Sequence, residues 1–324
     1  MMRPKVLITR KIFDEVLTMV RQYFEVEENP SDAPFSPQVL IEKLRGKMGV
    51  IIRLTDQISD EVLSQCPDLK IVSNIAVGYN NIDVEACTKR GIMVTNTPGV
   101  LDDTTADFTW ALILATARRV VEADQYLRAL RWKGWELMNF LGYDVHHKVL
   151  GICGLGRIGQ RVAKRAKGFD MRILYTDIIR VTTSVEEDLG AYFVDKKTLL
   201  SESDFITVHV PLFPQTTHYI SKADFEQMKP TGILINASRG PVVDEKALVW
   251  ALKEGKIAGA GLDVYEKEPE VEDDLIQMKN VVLAPHIASA SRETRLKMAT
   301  MAAENLIAGL LGKRPPNLVN KEIL

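Results

Sequence analysis

Gly154-Leu-Gly156-Arg-Ile-Gly159 stands between the apolar run KVLGIC (148–153) and a helical pattern over Arg157–Phe169. No other feature of the chain limits its fold as tightly. The triplet fits G-x-G-x-x-G, a pattern that is weak alone because glycines also cluster in plain strand–helix turns. A strand directly before it and a helix directly after it make it specific. Gly154 then allows the tight turn, Gly156 lets backbone approach a phosphate, and Gly159 lets helix and strand pack closely. A unit of this kind implies a parallel sheet with helices on its faces.

The rest of the sequence keeps that rhythm. RILYTD (172–177), AYFVD (191–195), DFITVHV (204–210), GILINA (232–237), IAGAGLDV (257–264) and NVVLAP (280–285) continue the series as strands. An earlier series holds KVLITR, MGVIIR, KIVSNIA and IMVTN, with FEVEE as a weaker edge strand. Helices alternate with these: Asp14–Tyr23, with Val16, Met19 and Val20 at helical spacing, one opened by Ser36-Pro37, and two capped by Ser59 and Asp83. One long helical stretch, Thr104 to Arg128, separates the two series. A second, Ser291–Leu311, is predicted to return to the first. The expected fold class is therefore α/β, with two doubly wound parallel-sheet domains, a Rossmann cofactor domain inserted into a flavodoxin-like substrate domain. The expected boundaries are 99–288 for the inserted domain and 1–98 plus 289–324 for the other. Two chain crossings would leave a hinged cleft, a usual place for a small-molecule site.

Bulk properties narrow the partners. The 324 residues carry a formal net charge of -2, so no global positive field exists to hold nucleic acid or an anionic membrane. Cys66, Cys87 and Cys153 lie far apart in apolar or helical stretches, which reads as buried reduced thiols without a disulfide framework or metal site. MMRPKVLITRKIFDE is broken by charges too soon for a signal peptide, and no apolar run approaches the roughly 20 residues of a membrane span. A cytoplasmic enzyme without metal, nucleic-acid or membrane partners is expected.

The glycine turn reads as a dinucleotide site, with backbone N–H groups near Arg157 and Ile158 facing the phosphates. Asp177 closes the next strand, roughly 20 residues on, where a carboxylate accepts hydrogen bonds from ribose hydroxyls. It would repel a 2′-phosphate, so NAD(H) is expected over NADP(H). Arg180 nearby slightly weakens that preference.

Hydride transfer to a carbonyl needs a proton source, because an alkoxide is too basic to form alone. Of five histidines, His146 and His147 are adjacent in an extended stretch and are expected to point to opposite sides. His209 reads as a satisfied core or rim residue, and His218 as a loop residue. His286 instead follows a proline at the carboxyl end of a buried strand, where open α/β sheets place ligands. A lone histidine there is commonly structural. Arg239 and Glu268 follow two further strand ends, although each alone also reads as a solvated arginine and a member of the acidic loop EKEPEVEDD. An anion clamp, a carboxylate and an imidazole together suit reduction of a 2-oxo acid.

The motifs AVGYNNIDV (76–84), NTPGVLDDTTAD (96–107), GICGLGRIGQRVA (151–163), NASRGPVVDEKAL (236–248), GAGLDVYEKEP (259–269) and APHIASA (284–290) occur in this order. In them the chain resembles the D-isomer-specific 2-hydroxyacid dehydrogenase family, most closely its glyoxylate/hydroxypyruvate reductase branch, over essentially its whole length. The resemblance implies that Arg239 grips the substrate carboxylate and 2-oxo oxygen. It implies that His286 donates the proton and that Glu268 holds the imidazole. Substrate contacts are implied for Leu54, Val77 and Gly78, and cofactor contacts for Thr105, Ala237, Ser238, Asp263 and Ser289 beside the glycine turn. Two departures stand out: Ala288 replaces the usual glycine after His286, and Asp102-Asp103 stands where the branch has one acidic residue. The family also uses the region 101–145 as a homodimer arm, and Trp132 or Trp135 in RALRWKGWELMNF would suit such an interface. Rival readings are a D-lactate or phosphoglycerate type of dehydrogenase and a non-catalytic NAD-sensing protein like the transcriptional corepressors of this architecture. A regulatory extension expected of the phosphoglycerate type and the disordered extensions expected of the corepressors are not apparent in the sequence.

Overall fold

Valine-, isoleucine- and leucine-rich runs form most of the strands, and among the described residues the ladders between them are parallel. The structure is a computed structural model that describes residues 3–323. It divides into two units, one formed by Met1–Leu101 with Ala290–Leu324 and the other by Asp102–Ser289.

The first unit holds β1 (Lys5–Ile8), β2 (Glu25–Glu28), β3 (Gly49–Ile52), β4 (Ile71–Asn74) and β5 (Met93–Thr95), in the order β2-β1-β3-β4-β5. This is the flavodoxin-like order. FEVEE takes the edge, where its glutamates meet water and lysines: Glu27 pairs with Lys43 and Lys47. Ser36, Ser59 and Asp83 each cap the helix that follows. The helix Arg292–Leu310 packs back on this unit: Leu306 and Leu310 close over Gly49, and the Ser73 hydroxyl donates to the Ala302 carbonyl at 2.7 Å. The sheet is thus buried on both faces, by Leu44, Val62 and Cys87 on one side and Val16, Val20, Ala302 and Leu306 on the other.

The second unit contains β6 (Val149–Cys153), β7 (Arg172–Thr176), β8 (Ala191–Phe193), β9 (Phe205–Val208), β10 (Ile233–Asn236), β11 (Gly259–Leu262) and β12 (Val281–Leu283). Their order is β12-β11-β10-β9-β6-β7-β8. The chain lays β7 and β8 on one side of β6 and then returns to lay β9 on the other, so a topological switch point falls between β6 and β9. Open sheets bind ligands at such a point, outside the carboxyl ends of the strands.

One element differs from the expectation. The stretch read as a single helix over Thr104–Arg128 is two, Asp102–Ala117 and Val120–Arg128, with Arg119 between them at a left-handed φ of 54°. The returning chain explains the break. Tyr143 N–H donates to the Ala117 carbonyl at 2.9 Å, taking the acceptor that a continuing helix would use.

Candidate active site

Thr176, Cys153, Val208, Asn236, Leu262 and Leu283 end six of these strands and are register partners from one strand to the next. Because the strands run the same way, the residues that follow each one emerge along one edge of the sheet. Gly154, Asp177, Arg239, Asp263 and His286 all leave from that edge.

The glycine turn has the shape its spacing requires. Gly154 has a φ of 94°, and a Cβ there would lie 3.0 Å from the backbone of His209 and Val210. A Cβ on Gly159 would lie 2.2 Å from the Gly154 carbonyl oxygen, so the helix Arg157–Ala166 can approach the turn only with glycine there. Gly156, the N-cap, faces open space. The first N–H groups of the helix have no partner of their own turn and no capping side chain. Such a helix start offers the N–H donors that an anion such as a pyrophosphate needs. Asp177 Oδ2 accepts from Leu155 N–H at 2.8 Å, which fixes its carboxylate against the turn. The residues present fit a dinucleotide.

Three segments bring the titratable groups together. His286 Nδ1 lies 2.8 Å from Glu268 Oε2, and Glu268 Oε1 accepts from Tyr265 N–H at 3.1 Å. Burial would raise the Glu268 carboxyl. The hydrogen bond and charge of His286, the Tyr265 N–H and the field of Arg239 outweigh it, and the net shift is downward. Burial lowers the Arg239 guanidinium, with Glu268 opposing. The Arg239 backbone is held by Asn236, whose Nδ2 donates to the Arg239 carbonyl at 3.0 Å and whose Oδ1 accepts from Ser238 N–H and Oγ–H. His286 sits at a φ of 53°, a conformation that is costly for a side-chain-bearing residue. Asp263, fully buried, holds it there: its carbonyl accepts from His286 N–H at 2.9 Å, and its carboxylate accepts from Ile287 and Ala288 N–H at 2.7 and 2.8 Å. Burial raises the Asp263 carboxyl, against those two N–H groups.

Comparison with known proteins shows which family the chain falls in. Residues 110–288 match the model of the D-isomer specific 2-hydroxyacid dehydrogenase, NAD binding domain. A glyoxylate reductase of Korarchaeum cryptofilum is 55% identical over 325 residues, covering 100% of this chain and 98% of the relative. The chain belongs to the D-isomer specific 2-hydroxyacid dehydrogenase family. Among solved structures, a glyoxylate reductase of Paecilomyes thermophila has a TM-score of 0.89 at 30% identity, covering 99% of this chain and 100% of its own. An NADPH-dependent glyoxylate/hydroxypyruvate reductase of Sinorhizobium meliloti has a TM-score of 0.86 at 34% identity, covering 98% of each chain.

The remaining candidate residues of this family member are distributed as follows. Arg157, Ile158, Ala237 and Ser238 lie at the same sheet edge, Ser289 is half-buried just beyond His286, and Thr105 is buried in the helix Asp102–Ala117. Leu54, Val77 and Gly78 belong to the other unit, after β3 and β4. There Asn96 Nδ2 donates to the Val77 carbonyl at 2.8 Å and Asn74 Nδ2 to the Gly78 carbonyl at 3.0 Å, so side-chain amides set that loop. Ala288 is accommodated with its N–H on Asp263. Asp102-Asp103 does more than begin a helix. Asp102 bonds Arg157 Nε at 2.7 Å and Asp103 pairs with Arg165, tying the helix Asp102–Ala117 to the one behind the glycine turn.

His146, His147 and His209 depart from their expectations, whereas His218 lies in a turn, as read. His147 has a φ of 59°, which turns its ring edge-on to that of His146 with centroids 5.0 Å apart, so the pair does not diverge as extended neighbours would. His209 is not satisfied: its Nε2 is buried without a protein hydrogen-bond partner. His218 Nε2 lies 3.0 Å from Glu266 Oε1. Glu266 and Glu245 each accept the other's backbone N–H, at 2.9 and 2.6 Å, a brace beside Glu268 that no motif announces. Among the described residues no group of three or more His, Cys, Asp or Glu is arranged to hold a metal ion, and no helix is long and apolar enough to cross a membrane.

Proposed function

We propose that this chain reduces a small 2-oxo acid of the glyoxylate and hydroxypyruvate class to the D-2-hydroxy acid, using NADH. The observation that carries the proposal is the His286–Glu268 contact of 2.8 Å, on the sheet edge that also presents Arg239 and the glycine turn. A bound reduced nicotinamide supplies the hydride. Arg239 holds the substrate carboxylate and 2-oxo oxygen through two parallel N–H donors, a geometry that a lysine cannot supply. Glu268 occupies His286 Nδ1 and stabilises the charged imidazole, so Nε2 is the nitrogen left to give its proton to the carbonyl oxygen. Asp263 keeps His286 in its strained conformation for that step. The products balance as one hydride on carbon and one proton on oxygen.

Asp177 supports NADH over NADPH, since its carboxylate, fixed by Leu155, would face a 2′-phosphate with like charge. A homodimer through 101–145 is part of the same proposal. Leu130 (80% exposed), Trp135 (81%), Leu137 and Met138 form a run of open apolar side chains of the kind that marks protein interfaces. Three free, buried thiols suit a reducing cytoplasm.

The test is loss of NADH absorbance with glyoxylate, hydroxypyruvate, pyruvate and phenylpyruvate, repeated with NADPH. The first two substrates with NADH are expected to be the fastest, with a D product from hydroxypyruvate. Binding of NADH without turnover of any of the four acids would overturn the enzyme reading.

A further inference from the structure

Beyond Asp177 the chain runs to Gly190 with a single cation, Arg180, in a segment that otherwise holds Glu186, Glu187 and Asp188. A cation three residues after the strand-end carboxylate is placed to offset its repulsion of a phosphate on the adenosine ribose. The structure shows that this cation is already engaged. Arg180 Nε donates to Glu186 Oε1 and Nη2 to Glu186 Oε2, both at 2.8 Å, the two-pronged geometry of the strongest arginine–carboxylate pairs.

The acceptor is itself held from behind. Tyr175, fully buried in β7, donates its hydroxyl to Glu186 Oε1 at 2.6 Å and accepts from Val181 N–H at 3.3 Å. The Phe193 ring packs edge-on against Tyr175 with centroids 5.3 Å apart, and the Arg180 guanidinium lies 5.6 Å from the Phe193 centroid. Arg180 lies open to solvent while Glu186 is buried. An exposed ion pair is easily exchanged for water or for another anion. A buried carboxylate does not give up its cation so readily, because removing one partner leaves an uncompensated charge. The Arg180 guanidinium pulls the Glu186 carboxyl down to about 2, with the Tyr175 hydroxyl contributing next.

We propose that Glu186 is a positioning residue for cofactor specificity: with Tyr175 behind it, it withholds Arg180 from the ribose end of the dinucleotide site. A 2′-phosphate would then meet Asp177 without a counter-charge. The inference rests on the NAD(H)-linked reading above and adds a second determinant to Asp177. It also reverses the expectation that Arg180 weakens the preference for NADH.

The test uses the full chain, with Arg180→Ala, Glu186→Gln, Glu186→Ala and the double variant Glu186→Ala/Arg180→Ala. Binding of ADP-ribose and of its 2′-phosphorylated counterpart is measured by calorimetry, and kcat/KM is measured with NADH and NADPH. Arg180→Ala alone should leave the NADPH/NADH ratio within about twofold of wild type, because the guanidinium already serves Glu186. Glu186→Ala should raise that ratio about tenfold, as expected for one new charge-assisted hydrogen bond to the phosphate, with Glu186→Gln intermediate and ADP-ribose affinity unchanged. The double variant should lose that increase. An unmoved ratio in Glu186→Ala, or a several-fold loss of 2′-phosphorylated ligand binding in Arg180→Ala, would overturn the proposal. Should Glu186→Ala fail to fold, Tyr175→Phe loosens the same carboxylate and should move the ratio in the same direction. The two readings fail separately: the wild-type ratio judges Asp177, whereas the change between wild type and variant judges Glu186.

Discussion

His286 Nδ1 and Glu268 Oε2 meet at 2.8 Å, and the partnership works in both directions. His286 helps hold the Glu268 carboxyl below its ordinary value despite burial, and the carboxylate in turn holds the imidazole in place. Glu268 is therefore ionised throughout the neutral range. Its contribution to stability is present above the ordinary carboxylate value and fades as pH falls through the lowered one. Glu268→Gln keeps the shape but removes the charge. Without that charge beside the imidazole, kcat should fall roughly tenfold to a hundredfold. A kcat equal to that of wild type would remove Glu268 from the proton-donating pair.

Gly240 links the Arg239 segment to the Glu268 segment. A Cβ there would lie 1.8 Å from the Tyr265 carbonyl oxygen and 2.5 Å from Glu266 N, both backbone atoms. Neither can yield without moving the chain that leads into Glu268. Gly240→Ala should therefore cut kcat/KM for glyoxylate by about a hundredfold or more, in the range for lost charge stabilisation or proton donation. The melting temperature should fall as well. Near-normal kinetics in this variant would show that the two segments adjust independently.

The sequence made much of this architecture legible. Strand–glycine turn–helix order specified a parallel sheet, and a parallel sheet sends every strand's following residue to one edge. That is why Arg239, Glu268 and His286 could be grouped before any distance was known. Ser36, Ser59 and Asp83 announced their helices for the same local reason, since each needs only a side-chain oxygen within three residues. What the chain did not announce depends on contacts distant in sequence. The break at Arg119 follows from Tyr143 capturing the Ala117 carbonyl. The crossing of the His146 and His147 rings follows from one backbone angle, and the Glu245–Glu266 brace spans two segments without a shared motif. The clamp on Arg180 belongs to this class: spacing alone put the cation near Asp177, and only packing shows that Glu186 holds it.

The exposed apolar arm within the second unit offers a test of assembly. Leu130, Trp135, Leu137 and Met138 are each at least 70% exposed, so charge placed there costs the isolated chain little. Leu130→Glu/Trp135→Glu is expected to fold normally and to bind NADH, yet to sediment as a monomer where wild type sediments as a dimer. In a homodimer interface the buried charges would be unpaired and costly. A wild type that sediments as a monomer at micromolar concentration would dismiss the interface.

His209 sets an acid limit on stability. It follows β9, its N–H donates to the Cys153 carbonyl at 2.8 Å, and burial alone pushes its imidazole down to about 4 from an ordinary 6.5. Above pH 6.5 both folded and unfolded chains hold it neutral, and it has no effect. Between about 6.5 and 4 the unfolded chain binds a proton that the folded chain refuses, so stability falls with pH. Below about 4 both forms are charged and the loss stops growing, at up to about 3 kcal/mol for a shift of this size. Other groups, the raised Asp263 carboxyl among them, also titrate on the way down, so the comparison of wild type with a His209 variant is what reads this histidine. Wild-type melting temperature should therefore drop between pH 7 and 5, and His209→Leu should flatten that drop while leaving the decline below pH 4.5. Parallel curves for the two proteins would mean that His209 reaches solvent and carries no such penalty.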